Sequence, residues 1–306
     1  MKKLMIAALA GLMVSCGQNS APMPEISETE TAGIETLSTA ADIISVSRQG
    51  NPDGRTVVLI PGLASSADVW TDTAAALAEY DIRLVQVAGF AGAKSQKVEG
   101  KYTDLIAAKL NAHLRETPGN SPVLIGHSMG GFVALKAALG DDSKIEELII
   151  VDSLPFLAEM FMPGTTPEQA AQMAPMMALQ MQNMPREAFD VQQAAGLPRM
   201  AKTRAYHATL RSWAKASDQT TVAAVMGEML AADLRPSLSD ISAEITVLAA
   251  HDKAMGLPVS QIENLYAAQY AGAPKHNIHV VEDSFHFIMV DQPTAFVDAV
   301  KEVLTD

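Results

Sequence analysis

A chain of 306 residues with 48% hydrophobic and 19% charged side chains is long enough to bury one large core. Its formal charge of −13 excludes nucleic acid as a partner, since binding a polyanion needs clustered Lys and Arg and no such run occurs. A single cysteine excludes an internal disulfide.

At the start of the chain, Lys2 and Lys3 precede an apolar run from Leu4 to Val14, and the small Ser15 stands directly before Cys16. This is the pattern of a secretory signal, with an apolar run shorter than the about 20 residues a permanent membrane span takes. Leu12-Met13-Val14-Ser15-Cys16 resembles a bacterial lipobox, in which cleavage precedes a cysteine that is then acylated on thiol and amine; Met13 stands where Leu is usual. Residues 1–15 are therefore expected to be a signal peptide and Cys16 a lipidation site. The protein is expected to be exported to the periplasm or cell envelope and held at a membrane by several acyl chains. The alternative is an ordinary secretion signal with an incidental cysteine. Gly17, with no Asp after the cysteine, resembles an outer-membrane address. From Gly17 to about Ala40 the chain is rich in Ser, Thr, Glu, Pro and Ala, too polar to offset the entropy of ordering, and reads as a flexible tether.

Residues 41–306 read as one domain in which short β-branched runs alternate with helical periodicity, the pattern of an α/β fold with a mostly parallel sheet. Strands are expected over 43–48 and 56–60, a helix over 67–80 with Trp70 and Leu77 on one face, then a strand over 82–88 and a helix over 102–116. Next come a short strand over 123–126, a helix from Met129 and a strand from Leu148. After a gap the rhythm resumes with strand 245–250, helix 259–270, strand 278–281 and a last helix from Pro293. No strand is evident over about 154–235, an Ala-, Gln- and Met-rich stretch expected to form a helical cap. The spacing of Met173, Met176, Met177, Met181 and Met184 predicts one helical face, either filling the cap's own core or roofing an apolar pocket lined by Met173, Met177 and Met181.

The chemistry centres on Gly126-His127-Ser128-Met129-Gly130, a G-x-S-x-G sequence placed between an apolar strand and a helix. That context is the nucleophile elbow, a turn so tight that small residues must flank the serine. A serine hydroxyl needs a histidine to take its proton and a carboxylate to hold that histidine in the right tautomer. His286, between the strand over 278–281 and the last helix, is the expected base. It is preferred to His113, His127, His207, His251, His276 and His279, and His127 is expected to support the turn. Asp252, just past the strand over 245–250, is preferred as the acid, with Asp152 at the end of the strand from Leu148 as its rival. No metal-ligand spacing, P-loop or dinucleotide fingerprint occurs, so no metal and no cofactor is expected.

Leu59-Ile60-Pro61-Gly62-Leu63, the elbow, the turn at Asp252 and Phe285-His286-Phe287-Ile288-Met289-Val290-Asp291-Gln292-Pro293 together resemble the α/β-hydrolase fold of capped esterases, lipases and carbon–carbon hydrolases. The resemblance spans about Ile43 to the C-terminus and implies an oxyanion hole from the backbone N–H groups of Leu63 and Met129. Pro61 stands where the family usually has His. The expected activity is hydrolysis of carboxylic esters with apolar acyl or aryl groups. Carbon–carbon or amide hydrolysis and acyl transfer are alternatives on the same fold. A lipoprotein that binds an apolar ligand without catalysis is the alternative of another class.

Overall fold

The structure is a computed structural model and describes residues 43–117, 121–140 and 144–305. The expected signal peptide, Cys16 and the expected tether lie outside the described residues. Seven strands form one sheet: β1 (Ile44–Gly50), β2 (Thr56–Ile60), β3 (Asp81–Val87), β4 (Val123–His127), β5 (Glu147–Val151), β6 (Glu244–His251) and β7 (His276–Glu282). Their order is β1-β3-β2-β4-β5-β6-β7, and only β1 runs antiparallel to its neighbour.

The central strands β2, β4 and β5 are buried and almost continuously apolar, polar only at the terminal Thr56, His127 and Glu147, because both faces are covered, as parallel sheets require. Alternate side chains serve opposite cores. Val58 and Ile60 of β2, Leu124 of β4 and Leu148 and Ile150 of β5 join one apolar cluster. Val57, Leu59, Val123, Ile125, Ile149 and Val151 join the other. The first cluster is closed by α2 (Tyr102–Glu116), α3 (Met129–Ala138) and α9 (Val259–Tyr270), the second by α1 (Thr71–Ala76) and α11 (Pro293–Thr305), which follows the short α10 (Ile288–Asp291).

The helix expected over 67–80 is shorter than its periodicity suggests. A 3-10 turn over Ala67–Trp70 leads into α1, which ends at Ala76. Trp70 and Leu77 are nonetheless both fully buried. The chain must leave the helix early because Tyr80 turns back to β1, its carbonyl accepting from Asn51 N–H at 2.9 Å.

Between β5 and β6 lie five helices: α4 (Ala158–Phe161), α5 (Pro167–Asn183), α6 (Arg186–Met200), α7 (His207–Ala216) and α8 (Gln219–Ala231). The longest, α5, opens with a reciprocal capping box between Thr166 and Gln169 and with Pro167 in its first turn, where a missing N–H costs nothing. The single methionine face expected for it is not what forms. Ala170 and Ala174 are its buried positions, and Ala178 meets Gly227 of α8, where an added Cβ would lie 2.7 Å from the Ala178 Cβ. That close approach selects small residues. Met173, Met176 and Met177 consequently face solvent, while Met181 and Met184 turn onto the main core. Of the proposed pocket residues, only Met181 points inward. No helix among the described residues is long and apolar enough to cross a membrane.

Candidate active site

Ser128 sits between β4 and α3 with φ 53° and ψ −117°, a conformation that side-chain-bearing residues rarely adopt. The glycines around it are sterically required. A Cβ on Gly126 would lie 2.4 Å from the Gly130 backbone and 2.5 Å from Gly131 N, and one on Gly130 would lie 2.3 Å from the Ile60 carbonyl oxygen. The strand, the turn and the helix therefore pack backbone against backbone, and the serine is lifted out at the carboxyl end of the sheet. Its N–H donates to the Val151 carbonyl of β5 at 2.9 Å.

That bond brings Ser128 beside Asp152, the residue after β5, which is itself at φ 47°. Asp152 N–H donates to Leu248 on β6 at 2.8 Å, turning the carboxylate across the strand ends. Its Oδ2 lies 2.6 Å from His286 Nδ1, and its Oδ1 accepts from Ala250 N–H at 2.9 Å and from the Tyr266 hydroxyl at 2.7 Å. Burial pushes the Asp152 carboxyl up, but the hydrogen bond and charge of His286, with the Ala250 and Tyr266 donors, hold it below the usual carboxylate range. An ionised Asp152 accepts from Nδ1–H, so the neutral His286 ring keeps the lone pair on Nε2. That is the tautomer a general base needs.

Asp252 is not the partner of His286, which corrects the sequence expectation. It caps the turn after β6 by accepting from Ala254 N–H at 2.7 Å, and its other oxygen lies 2.6 Å from Lys202 Nζ. The Lys202 ammonium, reinforced by the Ala254 N–H, keeps the Asp252 carboxyl below its ordinary range. Both carboxylates follow strands, but β5 adjoins β4 and β6 is one strand further from Ser128.

His286 is fixed from two sides. His127 Nε2–H donates to the His286 carbonyl at 2.9 Å, and the two rings lie 4.5 Å apart. Burial, together with the charge of His286, lowers the His127 pKa well below the ordinary value, so His127 is a neutral strut. Its Nδ1 has no hydrogen-bond partner and faces Gly62, where a Cβ would lie 2.8 Å from Nδ1 and 3.3 Å from the Ser128 Cβ. From the other side Asp291 accepts three backbone N–H groups, from Lys202 and Thr203 at 2.9 Å each and Phe285 at 3.0 Å, tying the His286 loop to the segment after α6. No Ser128–His286 hydrogen bond forms among the described residues; such bonds commonly tighten only with substrate in place.

Gly62 also brings the Pro61-Gly62-Leu63 turn against Ser128. The N–H of Leu63 finds no acceptor among the described residues, and that of Met129 opens α3, where no intrahelical acceptor exists. Two backbone donors thus stand unpaired on either side of Ser128.

Two contributors were missed at the level of sequence. Asp291 stood in the quoted Phe285–Pro293 stretch, and a carboxylate just before a helix-starting proline was a usable signal. Tyr266 lies within α9 with no local mark, and only the tertiary fold brings it to Asp152.

Residues 57–299 match the Alpha/beta hydrolase family, and the chain belongs to that family. Within it, the chain is 28% identical over 264 residues to the pimeloyl-[acyl-carrier protein] methyl ester esterase of Aeromonas hydrophila, covering 84% of this chain and 98% of that one. It is 32% identical to the enzyme of the same name from Shewanella woodyi over 39% of this chain and 45% of that one, and 34% identical to the N-formylmaleamate deformylase of Pseudomonas putida over 32% and 37%. The last two matches span less than half of those relatives. Among solved structures it superposes on a bromoperoxidase from Bacillus anthracis with a TM-score of 0.71 at 19% identity, over 90% of this chain and all of that one. An esterase from Thermogutta terrifontis gives 0.68 at 21%, over 90% and 98%. These two likenesses concern the fold alone.

Proposed function

We propose that the chain is a serine hydrolase that cleaves carboxylic esters through an acyl-enzyme, with Ser128 as nucleophile, His286 as base and Asp152 as the acid that orients it. The observation that carries the reading is the 2.6 Å contact between Asp152 Oδ2 and His286 Nδ1 beside a serine held at φ 53°. Ser128 Oγ attacks the acyl carbon while its proton passes to His286 Nε2. The Leu63 and Met129 N–H groups take the charge that forms on the carbonyl oxygen. Collapse breaks the ester bond, and the alkoxide leaves with the proton from His286. Water then repeats the sequence, giving its proton to His286 and releasing the acid and free Ser128. Esters are favoured over other acyl compounds because the relative matched over 98% of its length is a methyl ester esterase by name, and because alkoxides leave with modest help from the acid. Apolar acyl or aryl groups are the proposed class, in keeping with the Ala- and Met-rich composition of the segment between β5 and β6. The chain is further proposed to work outside the cytoplasm, anchored through acylated Cys16. Hydrolysis of p-nitrophenyl esters that is abolished in Ser128→Ala, with loss of covalent fluorophosphonate labelling, is the expected result. Unchanged turnover in Ser128→Ala would overturn the mechanism.

A further inference from the structure

We propose that the outer face of α5 is a docking surface for a lipid bilayer, holding the cap and the mouth of the site against the membrane that carries the anchor. The inference rests on the reading of Cys16 as acylated and adds an orientation to it.

Three independent features meet on this helix. First, the segment 169–185 carries no charged residue, in a chain with 57 ionisable Lys, Arg, Asp and Glu side chains (22 basic and 35 acidic). Second, α5 is attached to the fold by one narrow stripe, Ala170, Ala174 and Ala178. The remaining perimeter is exposed and, after Glu168, uncharged: Met176 is 75%, Leu179 57% and Met173 46% accessible, with Met177 beside them and the amides of Gln169, Gln172, Gln180, Gln182 and Asn183 between. A surface helix normally clothes such a face with charge, and contiguous exposed apolar side chains mark a binding surface.

Third, the chain that leads to Cys16 leaves the domain beside this helix. Because β1 is antiparallel, its start lies opposite Val87 at the carboxyl end of β3, the end at which the sheet presents Ser128. The Ile43 carbonyl accepts from Ala88 N–H at 2.9 Å. The adjoining Gly89 carbonyl accepts from Asp218 N–H at 2.7 Å, at the start of α8. One residue on, Gln219 Nε2 donates to the Met181 and Met184 carbonyls at 2.8 Å each, at the end of α5. The tether root, α8 and α5 are therefore linked residue to residue.

About 26 residues separate Cys16 from Ile43, and a chain of that length, if flexible as its composition implies, would reach roughly 30 Å, comparable with the size of the domain. Acylation would thus hold α5 at a millimolar-range effective concentration near lipid, where a weak apolar contact becomes occupied. The net charge of −13 gives no attraction to anionic headgroups, so the contact is with the acyl boundary through methionine and leucine side chains, which suit an irregular, fluid surface.

The test uses the full chain, processed and acylated in a bacterial host, reconstituted on vesicles of phosphatidylethanolamine with a minor fraction of phosphatidylglycerol. Met177→Cys, Met176→Cys and, at the far end of the sheet, the exposed Asp53→Cys are each labelled with a polarity-sensitive fluorophore. Turnover of a water-soluble ester reports that each is folded. The expected result is severalfold stronger quenching by lipid-borne nitroxide at Met177→Cys and Met176→Cys than at Asp53→Cys, with a blue shift that requires vesicles. Equal, weak quenching at all three positions in acylated protein overturns the docking surface and leaves the anchor standing. A blue shift present without vesicles and growing with protein concentration assigns the face to a second copy of the chain and also overturns it. A mature chain whose mass lacks acyl groups on Cys16 removes the anchor and this proposal together.

Discussion

At the residue scale the proposed chemistry depends on which carboxylate serves His286. Asp152→Asn removes the acceptor that fixes the imidazole tautomer and should lower kcat on a soluble ester by about ten-thousand-fold. Asp252→Asn should leave kcat within a few-fold, since that carboxylate is spent on Lys202 and Ala254. Steady-state kinetics of the two variants separate the roles. Tyr266 is a positioning residue, acting through Asp152. In Tyr266→Phe the carboxylate, relieved of one donor, presents more negative charge to His286 Nδ1–H and favours the protonated ring, so the acid-side loss of activity should set in at higher pH, with kcat reduced several-fold and KM unchanged. A residue that only packs would not move the pH profile. His127 carries a stability prediction. Its folded pKa is depressed, so below the unfolded value of about 6.5 the unfolded chain binds a proton that the folded chain refuses, and stability falls as pH drops. Between about pH 7.5 and about pH 5.5 that term is worth on the order of 1 kcal/mol. Urea midpoints should show it, and His127→Gln should lack it. Asp152, also depressed, adds its loss only at pH values below the ordinary carboxylate range.

At the element scale, the elbow was legible because strand, glycine and helix signals coincide within a few residues, and the structure gives the steric reason. Gly130→Ala places a Cβ against the Ile60 carbonyl, and the variant should fail to accumulate as soluble protein. The acid was not legible. Asp152 and Asp252 both end buried strands, and nothing local records that β5 adjoins β4 or that Lys202, about 50 residues before Asp252, arrives to neutralise it. The methionine face failed for a related reason: periodicity identified a stripe, but the partner helix selected alanine, because Gly227 lets α8 approach too closely for longer side chains. The loop bearing His286 is held as an element by Asp291. Asp291→Asn puts an amide donor where three N–H groups converge, so hydrogen exchange should rise over residues 283–291 and kcat should fall about tenfold in a variant that still folds.

At the scale of the whole molecule, the alternation of strands and helices was sufficient for the fold, because a parallel sheet covered on both sides leaves its mark on every central strand. The placement of the helices between β5 and β6 beside the start of β1 was not readable, since it depends on the reversed direction of β1. If the envelope reading is right, Cys16→Ala should move the protein from the membrane to the soluble fraction without changing turnover of soluble esters, as fractionation followed by assay would register. The central claim is the relay from Asp152 through His286 to Ser128. Its most direct measurement is the rate of covalent fluorophosphonate labelling, read by intact mass and peptide mapping in wild type, Asp152→Asn and Asp252→Asn. A single adduct on Ser128 is expected, formed orders of magnitude more slowly in Asp152→Asn and at close to the wild-type rate in Asp252→Asn. Wild-type labelling in Asp152→Asn with loss in Asp252→Asn would contradict it.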